Sequence, residues 1–353
     1  MKESPYIAWA KAHHDLAYSL AGSGVRPCPR ELLEPPAEPF PLSGPNEEGW
    51  PPLLERIAAR YGQQPDNVVL AHGASMANHL VCALMIEHGD DVLVERPVYE
   101  PLYLLPRFYR GNVVFFDRRL ADGFDLDVDE ICRRLTPRTT LVICSNLHNP
   151  TGALTKRDSL AELAQLAERE DFHVLMDEVY LEWMLEQGGT SAVELGPRFI
   201  VTSSLTKAYG LDDLRAGWVV AESGIADKLR RLNDLFSIKM VHLAERWAAL
   251  ALDRAPEMLE ALRPVLAANR ELVDGFIATQ PALEWLPPVA GTVGWVRLRG
   301  LEVDELNTRL LPLETAVAPG RFFSAPEFFR IGFGQATELL ERGLERLATA
   351  LAG

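Results

Sequence analysis

The 353-residue sequence predicts an α/β protein: a large domain with a mostly parallel sheet covered by helices on both faces, plus a smaller α+β domain. Three observations carry this. Between Asn67 and Ala221, short runs of branched and aromatic residues alternate with helical patterns, the order of a parallel sheet. The runs are apolar throughout rather than at every second position, as strands buried on both faces are. Beyond Ala226 the pattern turns helix-rich, then returns to strand-like segments and a closing helix.

The elements follow in order. Residues 1–45 are irregular and proline-rich (RPCPRELLEPPAEPFPLSGP), an arm whose apolar anchors Tyr6, Ile7, Trp9 and Leu16 hold it to another surface. Pro52–Tyr61 (PLLERIAARY) is an amphipathic helix with Leu53, Leu54, Ile57 and Ala58 on one face. Asn67–Leu70 is a strand, and HGASMANHLVCALMI becomes a helix after Gly73. Asp91–Glu95, Asn112–Phe116 and Leu141–Ser145 are strands, Leu160–Glu170 a helix, and Phe172–Met176, Arg198–Thr202 and Gly217–Ala221 strands. KLRRLNDLF, LAERWAALAL and PEMLEALRPVLAANRELVDGFI are helical, Thr292–Leu298 and Phe328–Phe333 are strands, and ELLERGLERLATAL closes the chain as a helix. The implied division is an arm and part of the small domain over 1–45, a large domain over 46–250 and a small domain over 251–353.

Composition narrows the functions. With 48% hydrophobic and 24% charged residues the chain is ordinary for a globular protein. A formal net charge of −15 gives no general attraction to nucleic acid or to an anionic membrane, so an anionic ligand needs a local basic pocket. No apolar run is long enough to span a bilayer, and MKESPYIAWAKAHH lacks the order of a secretory signal. Cys28, Cys82, Cys132 and Cys144 are scattered without a C-x-x-C pair and read as reduced thiols of a cytoplasmic protein.

Ligands of open α/β sheets bind where strands run out into loops and helices, and several polar residues fall there. His72-Gly73-Ala74-Ser75 joins a strand to a helix, whose free N–H groups suit an anion; the plainer alternative makes Ser75 a helix cap. Tyr99 and Tyr103 follow a strand, as packing or as a platform for a flat ligand. Asn149-Pro150-Thr151-Gly152 is a turn that carries an amide over the crevice. Asp177-Glu178-Val179-Tyr180 ends a strand; no G-x-x-x-x-G-K-[ST] loop accompanies it, which removes an NTPase reading. SSLTKAYGLDDLRAGW holds Lys207 among hydroxyls, with Arg215 nearby to depress its pKa or to bind phosphate. Arg330 sits within the apolar strand FFRIGF, where an unpaired guanidinium is costly; it reads as a structural ion pair or as a clamp for a carboxylate. H-E-x-x-H, G-x-S-x-G and metal-spaced His or Cys pairs are absent.

Singly these motifs are weak, but their order is not. The phosphate-type turn, the aromatic, N-P-T-G, D-E-V-Y, S-L-T-K and L-R-A-G together resemble the class I/II pyridoxal-phosphate-dependent aminotransferases, with their aspartate-aminotransferase-like fold (fold type I). SLTKAYGLDDLRAGW looks like that family's cofactor-lysine signature, and VAPGRFFSAPEFFRIGFG like its closing motif. The resemblance implies that Lys207 forms the Schiff base with pyridoxal 5′-phosphate. It implies that Ala74, Ser75, Ser204 and Arg215 hold the phosphate, that Tyr99 stacks on the ring, and that Asn149 and Tyr180 meet the ring's phenolic oxygen. Asp177 then pairs with the pyridine nitrogen, Arg330 takes the substrate α-carboxylate, and the backbone of Gly24 approaches the substrate. Amino acid and 2-oxo acid substrates, and a homodimer with active sites near the subunit interface, are implied with them; nucleic acid and membrane partners are not.

Two features depart from the family. No tyrosine stands before the helix that follows Gly49, where a partner subunit's phosphate contact is expected, and Asp212-Asp213 replaces the usual Pro-Gly. Glu47, Glu48, Trp50 and Lys239 stand near where the substrate pocket borders the partner, and all four read first as solvated or structural; as pocket residues, the acidic pair would favour a basic side chain and the lysine an acidic one. Transamination is the first expectation. The same ring-holding residues serve a C–S lyase, a decarboxylase or a cyclising synthase, and a non-catalytic sensor is the third reading.

Overall fold

The computed structural model describes residues 3–34, 37–185 and 189–353; Met1, Lys2, Pro35 and Pro36 of the arm lie outside that set. The larger sheet consists of β1 (Val68–His72), β2 (Asp91–Arg96), β3 (Asn112–Asp117), β4 (Thr139–Ser145), β5 (His173–Asp177), β6 (Phe199–Ser204) and β7 (Ala216–Val220), in the order β1-β7-β6-β5-β4-β2-β3. β7 runs antiparallel to both neighbours, and every other pairing is parallel. The apolar runs bury both sides by simple alternation. Val142 and Cys144 of β4 pack into one core, Leu141 and Ile143 into the other.

Before the sheet come α1 (Pro5–Ala12) and α2 (Pro51–Arg60). Along it run α3 (Gly73–Met85), α4 (Glu100–Phe108), α5 (Val128–Arg134), α6 (Arg157–Glu170), α7 (Glu182–Leu185), α8 (Ser223–Asn233) and α9 (His242–Asp253). Residues of α3, α4 and α8 cover one face; residues of α2, α5, α6 and α9 cover the other. A second sheet, β8 (Leu283–Trp285), β9 (Val293–Leu298), β10 (Ala318–Pro319) and β11 (Phe328–Gly332), is antiparallel in the order β10-β11-β9-β8. It packs with α10 (Ala255–Ala278), α11 (Val303–Leu310) and α12 (Thr337–Ala352) around Val273, Val296, Leu306, Phe329 and Leu340.

Some elements differ from the sequence reading. The arm is not wholly irregular: Ser4 caps α1 by accepting from the Ile7 N–H at 3.2 Å, Pro5 takes the first turn and Tyr6 is buried. α4 forms across a proline-rich segment because Pro101 falls in its first turn, where no N–H is needed, while Pro106 lies near its end. α5 is short and is started by Asp127, which accepts from the Glu130 N–H at 2.8 Å. The helix expected to run through Phe236 stops at Asn233.

Leu20 ties the arm to the smaller sheet. Its N–H donates to the Ala316 carbonyl at 2.9 Å, and its carbonyl accepts from Gly332 at 2.7 Å. Its side chain is fully buried, and Gly343 has no room for a Cβ, which would lie 2.6 Å from Leu20 Cδ2. Leu20→Ala is expected to cost about 2–5 kcal/mol through the cavity it leaves; denaturant unfolding followed by circular dichroism measures this.

Candidate active site

β4, β5 and β6 deliver Ser145, Asp177 and Ser204 to one edge of the large sheet, with Ser145 and Asp177 directly paired, and β1 ends at the same edge and runs into α3. This is where parallel sheets bind ligands. A cavity of about 490 Å³ lies there, and its lining also includes Arg330 of β11 and residues of α1. Ala74, Ser75, Tyr99, Asn149, Asp177, Tyr180, Ser204, Lys207, Arg215 and Arg330 all line it. Gly24 does not: its neighbour Ser23 lines the wall, and Gly24 stands behind it against Thr206.

One end of the cavity is built for an anion. α3 starts at Gly73 with His72 as N-cap and no side-chain capping bond. Ser75 is therefore inside the first turn rather than the cap, and the first-turn N–H groups are left for an outside acceptor at the positive end of the helix dipole. Gly73 has φ 78°, and a Cβ there would lie 2.4 Å from a terminal nitrogen of Arg215. The glycine thus lets the guanidinium lie across the helix start. Arg215 is reached through the tight turn Asp212–Leu214, and its Nη1 donates to the Asp212 carbonyl at 3.2 Å. Asp212 lines the cavity; Asp213 does not.

In the middle, Asp177 is buried. It accepts from Asn78 Nδ2 at 2.8 Å and from the Val179 N–H at 3.1 Å. Burial raises its carboxyl above the usual range, while Asn78, Val179 and Lys207 pull it back. Asn78 itself accepts from Thr202 Oγ1 at 2.6 Å, so helix and sheet fix the carboxylate together. Lys207 Nζ donates to Ser23 Oγ at 2.9 Å. Burial brings its pKa down to about 8, with Arg330 and then Arg215 adding to the effect and Asp212 and Asp177 opposing it. The Tyr180 hydroxyl donates to the Ser23 carbonyl at 2.7 Å, and burial pushes the phenol up to about 12.

Asn149 is held by a buried network. Its N–H donates to Ser145 Oγ at 3.1 Å, Ser145 donates to Glu95 at 2.6 Å, and Arg118 bonds Glu95 at 2.8 Å and the Ser145 carbonyl at 3.2 Å. Burial raises the Glu95 carboxyl, opposed by Arg118. Asn149 Oδ1 in turn accepts from Arg330 Nη1 at 3.2 Å. Arg330 is 1% exposed, and its other partners are equally neutral: the Tyr6 hydroxyl at 2.6 Å and the Ala21 carbonyl at 3.2 Å, both from Nη2. Nε has no partner, and no carboxylate pairs with Arg330 among the described residues. The structural ion pair entertained for it is therefore not formed.

Sequence reasoning missed Tyr6, His14, Asp15 and Asn78, which also line the cavity. Asn78 had a signal, since three residues after Ser75 is the same helix face. Tyr6 had none beyond its anchoring role. Glu47, Glu48, Trp50 and Lys239 are absent from the lining. Glu48 pairs with Arg231, Lys239 lies 4.0 Å from Glu47, and the Arg246 guanidinium sits 3.4 Å over the Trp50 ring.

A helix start facing an arginine, a buried carboxylate, a lysine with a lowered pKa and the Tyr99 and Tyr180 rings in the cavity wall fit the phosphate, ring nitrogen, carbonyl and aromatic ring of pyridoxal 5′-phosphate. Fold and site together define a pyridoxal-phosphate-dependent enzyme. The aminotransferase class I and II model matches residues 43–347, and the chain belongs to that family. It is similar to the capreomycidine synthase of Streptomyces vinaceus, 30% identical over 304 residues, covering 85% of this chain and 78% of that one. It is 29% identical to the arginine–pyruvate transaminase of Pseudomonas aeruginosa over 310 residues, covering 85% and 79%. Among solved structures, a PLP-dependent aminotransferase from Streptococcus suis matches with a TM-score of 0.91 at 27% identity, covering 100% of this chain and 98% of that one. The PLP-dependent cyclase OrfR matches at 0.87 and 26%, covering 100% and 97%. No helix among the described residues is long and apolar enough to cross a membrane.

Because the Lys207 pKa is about 8, its neutral, nucleophilic fraction rises as pH passes upward through that value. Capture of pyridoxal phosphate by the apoprotein is expected to accelerate across that range and then level off. In Arg330→Gln, which removes a neighbouring cation, the midpoint moves to higher pH. Stopped-flow quenching of protein fluorescence at each pH measures both.

Proposed function

We propose that this enzyme is an aminotransferase moving an amino group from an amino acid to a 2-oxo acid, with Lys207 as the cofactor's covalent anchor. The observation that carries the reading is the convergence on one cavity of a near-neutral lysine, a buried carboxylate and an arginine lacking a counter-ion. In this reading residues 46–250 form the cofactor domain, while 251–353 with part of 1–45 supply the substrate clamp. The N–H groups of Ala74 and Ser75, with Ser204 and Arg215, would hold the phosphate, and Tyr99 would lie on the ring. When bound, the cofactor supplies a carbonyl conjugated to an electron-accepting ring, which weakens the bonds at the substrate Cα. Asp177 would keep the proton on the ring nitrogen, and Asn149 and Tyr180 would meet the phenolic oxygen. Arg330 fixes the α-carboxylate, with Ser23 and Gly24 alongside, and so orients the Cα–H bond. Lys207 Nζ takes the proton from Cα and returns it, as base and then acid.

A second reading, a cyclising synthase, is favoured by the similarity to a capreomycidine synthase and to the OrfR cyclase. A homodimer is part of the proposal: Leu235, Phe236, Ile238 and Val241 expose large apolar side chains between α8 and α9, a surface that a second copy would cover.

Mixing the holoenzyme with each amino acid plus pyruvate, L-arginine first in view of the arginine–pyruvate relative, is expected to yield alanine in step with donor consumption. Lys207→Ala should lower this rate by roughly 10²–10⁴-fold. Cyclised product without alanine decides for the synthase. Sedimentation velocity is expected to give twice the chain mass and, for Ile238→Asp, the single-chain mass; a wild-type monomer contradicts the dimer.

A further inference from the structure

The sequence marks Tyr6 only as an apolar anchor, yet the structure ties it to three parts of the site at once. Its backbone N–H donates at 2.8 Å to Glu100, a buried carboxylate that also accepts from the Ser4 hydroxyl. Glu100 lies in the first turn of α4 and faces the first turn of α1, so one carboxylate serves the positive ends of two helices. The Tyr6 ring meets Tyr99 edge-on at 5.8 Å and Phe323 at 5.4 Å, which fixes its side chain. Its hydroxyl accepts from Arg330 Nη2 at 2.6 Å.

That last contact leaves a donor unused. A phenol can accept and donate together. The Tyr6 oxygen accepts from a cation, and the hydroxyl proton has no acceptor among the described residues. A hydroxyl polarised by a guanidinium is a better donor than a free one. Arg330 spends Nη2 on Tyr6 and Ala21 and one Nη1 proton on Asn149, keeping Nε and the other Nη1 proton. A carboxylate has lone pairs for more donors than these two. Tyr6 lines the cavity beside Arg330 and offers another.

We propose that Tyr6 is a substrate-binding residue, its hydroxyl donating to the α-carboxylate of the amino acid and of the 2-oxo acid that Arg330 holds. This rests on the reading of Arg330 as the α-carboxylate site. The pair then selects α-amino acids over the corresponding amines, because an amine leaves both the guanidinium and the phenol unsatisfied. The docking of α1 becomes part of substrate recognition, since Ser4 and Glu100 hold the helix that presents the hydroxyl.

The test uses propionate, a minimal carboxylate that carries no amine and cannot turn over, titrated into the holoenzyme and followed by saturation-transfer NMR. Wild type, Tyr6→Phe and Arg330→Gln are compared. Phenylalanine keeps the ring contacts with Tyr99 and Phe323, and an unchanged thermal midpoint verifies this. Tyr6→Phe is expected to weaken propionate by roughly tenfold to a hundredfold, the loss of one hydrogen bond to a charged group, and Arg330→Gln to abolish binding. In turnover, Tyr6→Phe should raise KM for both substrates with little change in kcat. Tyr6→Phe binding propionate as wild type does, while Arg330→Gln does not, overturns the role of Tyr6 alone. Propionate binding retained in Arg330→Gln, or absent in wild type, overturns the α-carboxylate site and the inference with it.

Discussion

Arg330 is a guanidinium sealed inside the protein with only neutral partners, and the design of the site follows from that imbalance. A buried charge left unpaired costs on the order of 3–5 kcal/mol. An interior strand position that retains one makes sense where a ligand brings the missing negative charge. The same cation reaches Lys207, where it adds to burial in lowering the ammonium pKa to about 8. In the proposed reading one residue therefore both attracts a carboxylate and helps to make an amine nucleophilic. Asp177 and Asp212 keep the effect within bounds by favouring the charged lysine.

The fold supplies the rigidity that such a cluster needs. Strand ends set Ser145, Asp177 and Ser204 in register, and the Glu95–Arg118 pair fixes the loop bearing Asn149. Another buried carboxylate, Glu182, gathers Arg60, Tyr61, Ser203 and Tyr209 beneath the strand that leads to Lys207. The arm completes the arrangement from the other side. The Ser23 carbonyl accepts from Tyr180 and from Thr292, joining the loop after β5 to the segment that leads into β9.

The large sheet was legible because its strands are buried on both faces and read as unbroken apolar runs; His72–Ser75, Asn149, Asp177 and Lys207 then fell at strand ends by simple chain order. Two groups of features were not legible. α4 hid behind Pro101 and Pro106, because a proline in a first turn is invisible to periodicity. Tyr6 and Arg330 are 324 residues apart, and nothing in either neighbourhood announces that a phenol near the start of the chain completes a guanidinium near its end. Asp212 drew attention as a departure from the family pattern, and its place in the cavity wall gives it an electrostatic role beside Lys207; Asp213 has no structural explanation.

In the proposed reading the cofactor is anchored where burial has brought the lysine pKa down to about 8. Lys207 is not alone at the cavity, since Lys11 of α1 also lines it. Borohydride reduction of the holoprotein followed by peptide mass mapping separates the two most directly. A phosphopyridoxyl group is expected on Lys207 and on no other lysine; a label on Lys11, or a reduced holoprotein without a labelled lysine, contradicts the assignment.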